Sequence, residues 1–129
     1  MRFTSRNSGP KFLSRIGIVD DQASILDALK LVLEDLGHQA ECFSSGRQLF
    51  NHLADQTLDL LILDPHLSGM DGYEILTKLD TYIPTVLLTA WPHAPLVTKL
   101  KQHGALDVMV KPVSAQKLKQ IIATHLIER

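Results

Sequence analysis

The stretch Leu60-Leu61-Ile62-Leu63-Asp64 constrains this chain most. Four consecutive apolar residues read as a strand buried on both faces, as in the middle of a parallel sheet. The run ends in a carboxylate, at the strand end where open α/β sheets place their chemistry. Three more apolar runs deliver a polar group at the same end. Ile16-Gly17-Ile18-Val19 leads into Asp20-Asp21, Val86-Leu87-Leu88 into Thr89, and Val108-Met109-Val110 into Lys111-Pro112. Together these ends supply three carboxylates, one hydroxyl and one ammonium.

The rest of the chain alternates with these strands. The first strand is expected over Arg15–Asp20. Helical spacing follows over Gln22–Leu36, where Ile25, Leu29, Val32, Leu33 and Leu36 share a face. Gly37 stops that helix. A second strand is expected at Gln39–Phe43. Ser45 is then placed to cap a helix with Leu49, Phe50 and Leu53 inward. The third strand is read as Leu58–Asp64, followed by a loop to Asp71 and a short helix over Gly72–Leu79. Pro84 opens the fourth strand at Thr85–Thr89, since proline is tolerated at a strand's first residue. A helix is expected over His93–His103, ended by Gly104, then a fifth strand over Leu106–Val110. Ser114 is placed to cap a last helix carrying Leu118, Ile121, Ile122 and Leu126. Strand–helix alternation with apolar strands predicts an α/β fold: a parallel sheet, helices on both faces and right-handed crossovers.

A chain of 129 residues is one domain by length and buries roughly two thirds of its unfolded surface. With 45% apolar and 21% charged residues it is globular. A net charge of −1 lacks the basic stripe that direct nucleic-acid binding wants. No apolar run approaches the roughly 18 residues of a membrane span. The single Cys42 rules out an intrachain disulfide, is expected in the core, and suits a reducing, cytoplasmic setting. The first fourteen residues carry Arg2, Arg6 and Lys11 without an acid and read as a flexible arm, leaving 15–129 as the folded domain. The histidines other than His66 are expected at the surface.

Asp20, Asp21 and Asp64 against Lys111 leave a net charge of −2 at one sheet edge. Like charges so close repel, and a divalent cation balances them. Hard oxygen donors with room for water favour Mg²⁺. A carboxylate beside such a cation, a lysine and a hydroxyl is also suited to accept a phosphoryl group, because its spread negative charge needs fixed partners. Lys111 can hold one oxygen, and the Thr89 hydroxyl with the Ala90 N–H another.

On these residues the chain resembles the receiver domain of two-component response regulators. The resemblance runs from about Arg15 to Leu126. It rests on Ile18-Val19-Asp20-Asp21, Asp64 with Gly69-Met70-Asp71-Gly72, Leu88-Thr89-Ala90, Gly104-Ala105 and Lys111-Pro112. It implies a flavodoxin-like (βα)5 sheet of strand order 2-1-3-4-5 and a cis Lys111-Pro112 bond. It implies Asp64 as phosphoacceptor, with Thr89 and Lys111 contacting the phosphoryl group. Mg²⁺ would be held by Asp20, Asp21, Asp64 and the backbone carbonyl of His66. The donor would be a histidine kinase or a histidine phosphotransfer protein. The face of the fourth helix, fifth strand and fifth helix would signal to a partner or pair two copies. Such a domain phosphorylates and dephosphorylates itself without turning over a separate substrate. It stands alone or belongs to a longer regulator or hybrid kinase.

The sequence departs from that pattern at four places. Val108 stands where an aromatic residue is usual, Pro65-His66 follows the acceptor, Ser68 replaces a common proline, and the third helix is short. His66 and Trp91 each lie two residues beyond a site residue, where receivers flank the path of the hydrolytic water. A receiver fold used only for binding is the alternative. A flavin carrier would want a Ser/Thr/Gly-rich first loop, and an aspartate-nucleophile phosphatase a second Asp at position 66; neither is present.

Overall fold

Five short strands run parallel in the order β2-β1-β3-β4-β5. They are β1 (Arg15–Val19), β2 (Gln39–Phe43), β3 (Leu60–Leu63), β4 (Thr85–Thr89) and β5 (Asp107–Val110). Between and after them lie α1 (Ala23–Asp35), α2 (Gly46–Leu53), α3 (Gly72–Lys78), α4 (Pro95–Gln102) and α5 (Ala115–His125). The computed structural model describes residues 14–126. The expected basic arm, apart from Ser14, lies outside them. The strand order and layering are those of the flavodoxin-like receiver fold.

The unbroken apolar runs form the middle of the sheet because both their faces are covered. Leu60 and Ile62 point into one core with Ile16, Ile18, Val86 and Leu88, closed by Leu29 and Leu33 of α1 and Leu118, Ile121 and Ile122 of α5. Leu61 and Leu63 point into the other with Val19 and Leu87, closed by Leu49 of α2, Ile75 of α3, and Val97 and Leu100 of α4. All four β3 side chains are at most 1% exposed. Each contributes about 1.5–3 kcal/mol by leaving water. This two-sided burial is what places Asp64 at the centre of the sheet's C-terminal edge.

Local chemistry ends the helices where the sequence puts its punctuation. Gly37 and Gly104 adopt φ of 96° and 116°, the left-handed region that a helix exit favours. Ser45 and Ser114 accept the backbone N–H groups of Gln48 and Lys117. Asp71 and Glu74 cap α3 reciprocally, which steadies a helix of only seven residues.

Several boundaries differ from the expected ones. The fourth helix starts at Pro95, not His93. Pro95 suits the first helical position, and it forces Ala94 before it into an extended conformation. The third strand begins at Leu60; Leu58 is buried but precedes the ladder. The fifth strand begins at Asp107, with Leu106 joined to Thr85 just before it. Cys42 is half-buried and packs against the first core, its thiol donating to the Leu26 carbonyl at 3.7 Å. His93 and His103 are exposed, whereas His38, His52 and His125 are half-buried.

Gly72 is tightly packed against the loop that follows Asp64. A Cβ there would stand 2.9 Å from the Pro65 Cα and 3.1 Å from Leu100 Cδ1. Gly72→Ala gains helix propensity of up to ~1 kcal/mol but overpacks by about 1–3 kcal/mol. A net loss of about 1–2 kcal/mol in urea unfolding is the expected outcome; an unchanged midpoint would show that Pro65 yields freely.

Candidate functional site

Three strand ends prolong the sheet ladder by one residue, and this positions the site. The Asp20 N–H donates to the Phe43 carbonyl, Asp64 to Val19 and Lys111 to Thr89, at 3.0, 2.9 and 2.9 Å. Each polar side chain therefore leaves from ordered backbone at the same edge.

A second device repeats at three of these positions. Asp20 Oδ1 accepts the Gln22 N–H at 2.9 Å, Asp64 Oδ1 the His66 N–H at 2.9 Å, and Thr89 Oγ1 the Trp91 N–H at 3.0 Å. Each is a side chain closing a turn on the backbone two residues onward. The turn fixes the loop and aims the remaining carboxylate oxygen. Pro65 has no N–H to offer, and its carbonyl instead accepts the Gly72 N–H at 3.0 Å.

Lys111 occupies the centre. Its Nζ lies 2.8 Å from Asp20 Oδ2 and 3.0 Å from Asp64 Oδ2, and it donates to Gln22 Oε1 at 2.9 Å. Asp20 is 1% exposed and Asp64 7%. Buried carboxylates demand such a partner, because their desolvation is not otherwise offset. Burial by itself would push the Lys111 ammonium down, but the hydrogen bonds and charges of Asp20 and Asp64 outweigh it and hold the group above the ordinary lysine value.

Asp21 is exposed beside the buried pair. One oxygen from each of Asp20, Asp21 and Asp64 falls within a 4.8 Å group. This all-carboxylate, solvent-open donor set fits a hard divalent cation. Thr89 is buried at the end of β4, next to β3, the strand that leads into Asp64. The structure thus brings Asp20, Asp21, Asp64 and Lys111 together, puts the Thr89 hydroxyl on the neighbouring strand end, and ties the His66 backbone to Asp64. Gln22 is the residue that reading the sequence missed. Its only signal was its place, directly after Asp20-Asp21.

The His66 and Trp91 rings meet edge to face, 5.3 Å between centroids and 83° between planes. His66 is half-buried, while Trp91 is 63% exposed. The pair bridges the loops that follow β3 and β4, on the same side of the sheet as the carboxylates.

Residues 16–123 match the family model of the response regulator receiver domain. The chain belongs to that family. The response regulator protein TmoT of Ectopseudomonas mendocina is 33% identical over 116 residues, 88% of this chain and 53% of that protein. The chain spans about half the length of the first curated relatives it matches. Among solved structures, a CheY-like receiver domain from Methanospirillum hungatei superposes with a TM-score of 0.80 at 28% identity, covering 87% of this chain and 92% of that one. The receiver domain of a signal transduction histidine kinase from Syntrophus aciditrophicus gives 0.75 at 30% identity, covering 86% and 88%. The fold is thus shared by a small CheY-like receiver and by a domain taken from a kinase.

The raised ionisation of Lys111 has a definite sign. A folded-state value above the unfolded one contributes stability that is complete below the unfolded value and is lost as pH rises through the folded value. Lys111→Met is therefore expected to unfold earlier than the parent at neutral pH. The gap should narrow in the alkaline range above the ordinary lysine value. Thermal unfolding followed by circular dichroism checks this, and a gap independent of pH would contradict it.

Proposed function

We propose that this receiver domain takes a phosphoryl group onto Asp64 and signals by the change in charge that follows. The observation that supports this most is the Lys111 ammonium shared between Asp20 and Asp64, 2.8 and 3.0 Å away. A half-buried cation that bridges two carboxylates can leave one of them for an incoming phosphoryl oxygen while staying paired with the other.

In this reading a carboxylate oxygen of Asp64 attacks the phosphorus of a phosphohistidine. The new bond is P–O; the P–N bond breaks, and its electron pair returns to the donor imidazole. Lys111 follows the transferred oxygens. The buried Thr89 hydroxyl, aimed by the Trp91 N–H, offers its proton to another. Asp20, Asp21, Asp64 and the His66 carbonyl would hold Mg²⁺, which when bound neutralises charge on the phosphoryl oxygens. The donor would be a histidine kinase or a histidine phosphotransfer protein. A phosphoryl group adds a charge of roughly −1.5 to −2, enough to bias a two-state arrangement of loops and helices.

The face formed by α4, β5 and α5 would read that bias. It carries exposed Leu106 and Val110 on either side of half-buried Val108. The same face could pair two copies of the chain. Val108 also favours a second reading, a receiver fold that binds partners without phosphorylation, because no ring stands at that position to turn inward.

Intact mass after incubation with Mg²⁺ and acetyl phosphate separates the two. The parent is expected to gain one phosphoryl group, and Asp64→Asn, or the parent with the metal chelated, to gain none. No gain in the parent with several donors would leave the binding module as the better reading.

The His66–Trp91 contact predicts a further effect. Two rings touching over the loops narrow the approach of water to an acyl phosphate on Asp64. His66→Asn and Trp91→Ala are each expected to shorten the life of the phosphorylated form by roughly three- to tenfold, at most about 1.4 kcal/mol of barrier. Unchanged rates of phosphate loss would make the rings bystanders.

A further inference from the structure

Among the described residues, the end of the sheet opposite the carboxylates holds an open groove. It has a volume of about 530 Å³ and lies between the end of α2 and the loop after α3, with Leu53, Leu58, Leu79 and Ile83 in its wall. A smaller recess of about 280 Å³ adjoins it and shares Leu79, Tyr82 and Ile83. Tyr82, 71% exposed, stands in the walls of both. The groove opens where α3 ends. That helix has seven residues, against thirteen in α1 and eleven in α5, and Leu79 already turns extended.

The groove is apolar with an acidic edge. Asp80 is the charged residue in its wall, and Asp55 and Asp59 adjoin wall residues in the chain. The first thirteen residues have the complementary character: Phe3, Phe12 and Leu13 are apolar, and Arg2, Arg6 and Lys11 are unaccompanied by any acid. The chain also enters the fold at this place. Arg15 donates its N–H to Asp59 Oδ2 at 2.8 Å, and the Asp59 N–H returns to the Arg15 carbonyl at 2.7 Å. The Arg15 guanidinium donates to Gln56 Oε1 at 3.0 Å, and Gln56 is itself part of the groove wall.

We propose that this groove is the docking site of the chain's own first thirteen residues, with Phe12 and Phe3 as anchors and the basic residues against the acidic edge. Three arguments choose this occupant. The apolar and charged character match. The segment starts at the groove's rim and, extended, reaches roughly 45 Å, so no part of the groove is out of range. A tethered ligand also meets its site at an effective concentration in the millimolar range, which an untethered partner seldom matches. Docking covers an apolar patch that would otherwise face water.

Paramagnetic broadening in the full chain tests this. A nitroxide is attached at Ser8→Cys in a Cys42→Ser background, and amide signals are recorded with the labelled chain diluted in unlabelled chain. Docking predicts loss of signal at Ala54, Gln56 and Tyr82, with α5 and the carboxylate edge retained. Adding Phe3→Ser and Phe12→Ser should restore the lost signals, and raising salt should weaken the loss. Even broadening over the whole surface, or broadening centred elsewhere, would overturn the proposal. So would broadening that appears only on separate ¹⁵N-labelled copies mixed with the nitroxide-bearing chain, which would make a second copy's arm the occupant.

Discussion

The Lys111 ammonium between Asp20 and Asp64 is the interaction on which the rest of this domain turns. Two carboxylates almost withdrawn from water would repel each other and lack hydration, and either effect alone would favour an open edge. The cation resolves both at once. It can do so only because β1, β3 and β5, which are not all neighbours, deliver three side chains to one point. That requires the order in which β1 and β3 are central and β5 closes the edge beyond β4. Strand order, two-sided burial and the ion triad are therefore one constraint seen at three scales.

The loops at this edge are ordered by the same groups that make its chemistry. Asp20, Asp64 and Thr89 each spend one oxygen on the N–H two residues ahead. This leaves one oxygen per carboxylate for Lys111 and sets where Gln22, His66 and Trp91 stand. A substitution at any of the three would alter charge and loop shape together. Effects of such variants on the charge of this edge and on its backbone order are consequently linked, not separable contributions.

Much of this was legible along the chain. The apolar runs ending in Asp20, Asp64, Thr89 and Lys111 announced both the sheet and its edge, because strands buried on two faces leave no other pattern. Gly37, Gly104, Ser45 and Ser114 marked helix ends by local chemistry that needs no tertiary information. Boundaries were less legible where two local rules compete. At His93 to Pro95 the expected helix began two residues early, and proline geometry set the later start. The half-burial of His38 and Cys42 depends on how closely α1 lies on the sheet, which spacing does not specify. Gln22 is a site residue only because β5 brings Lys111 to it from 89 positions away. The groove was beyond reach for the same reason, since it is the space left between two helix ends.

The chain has one tryptophan, and the fold puts it beside the carboxylates, largely in solvent and edge-on to His66. Indole emission from this protein therefore originates at a single address. Any event that shifts the loop after β4 or the ring of His66 changes the light from the whole molecule, with no second tryptophan to dilute it. The domain carries its own optical probe of the edge where its charges meet.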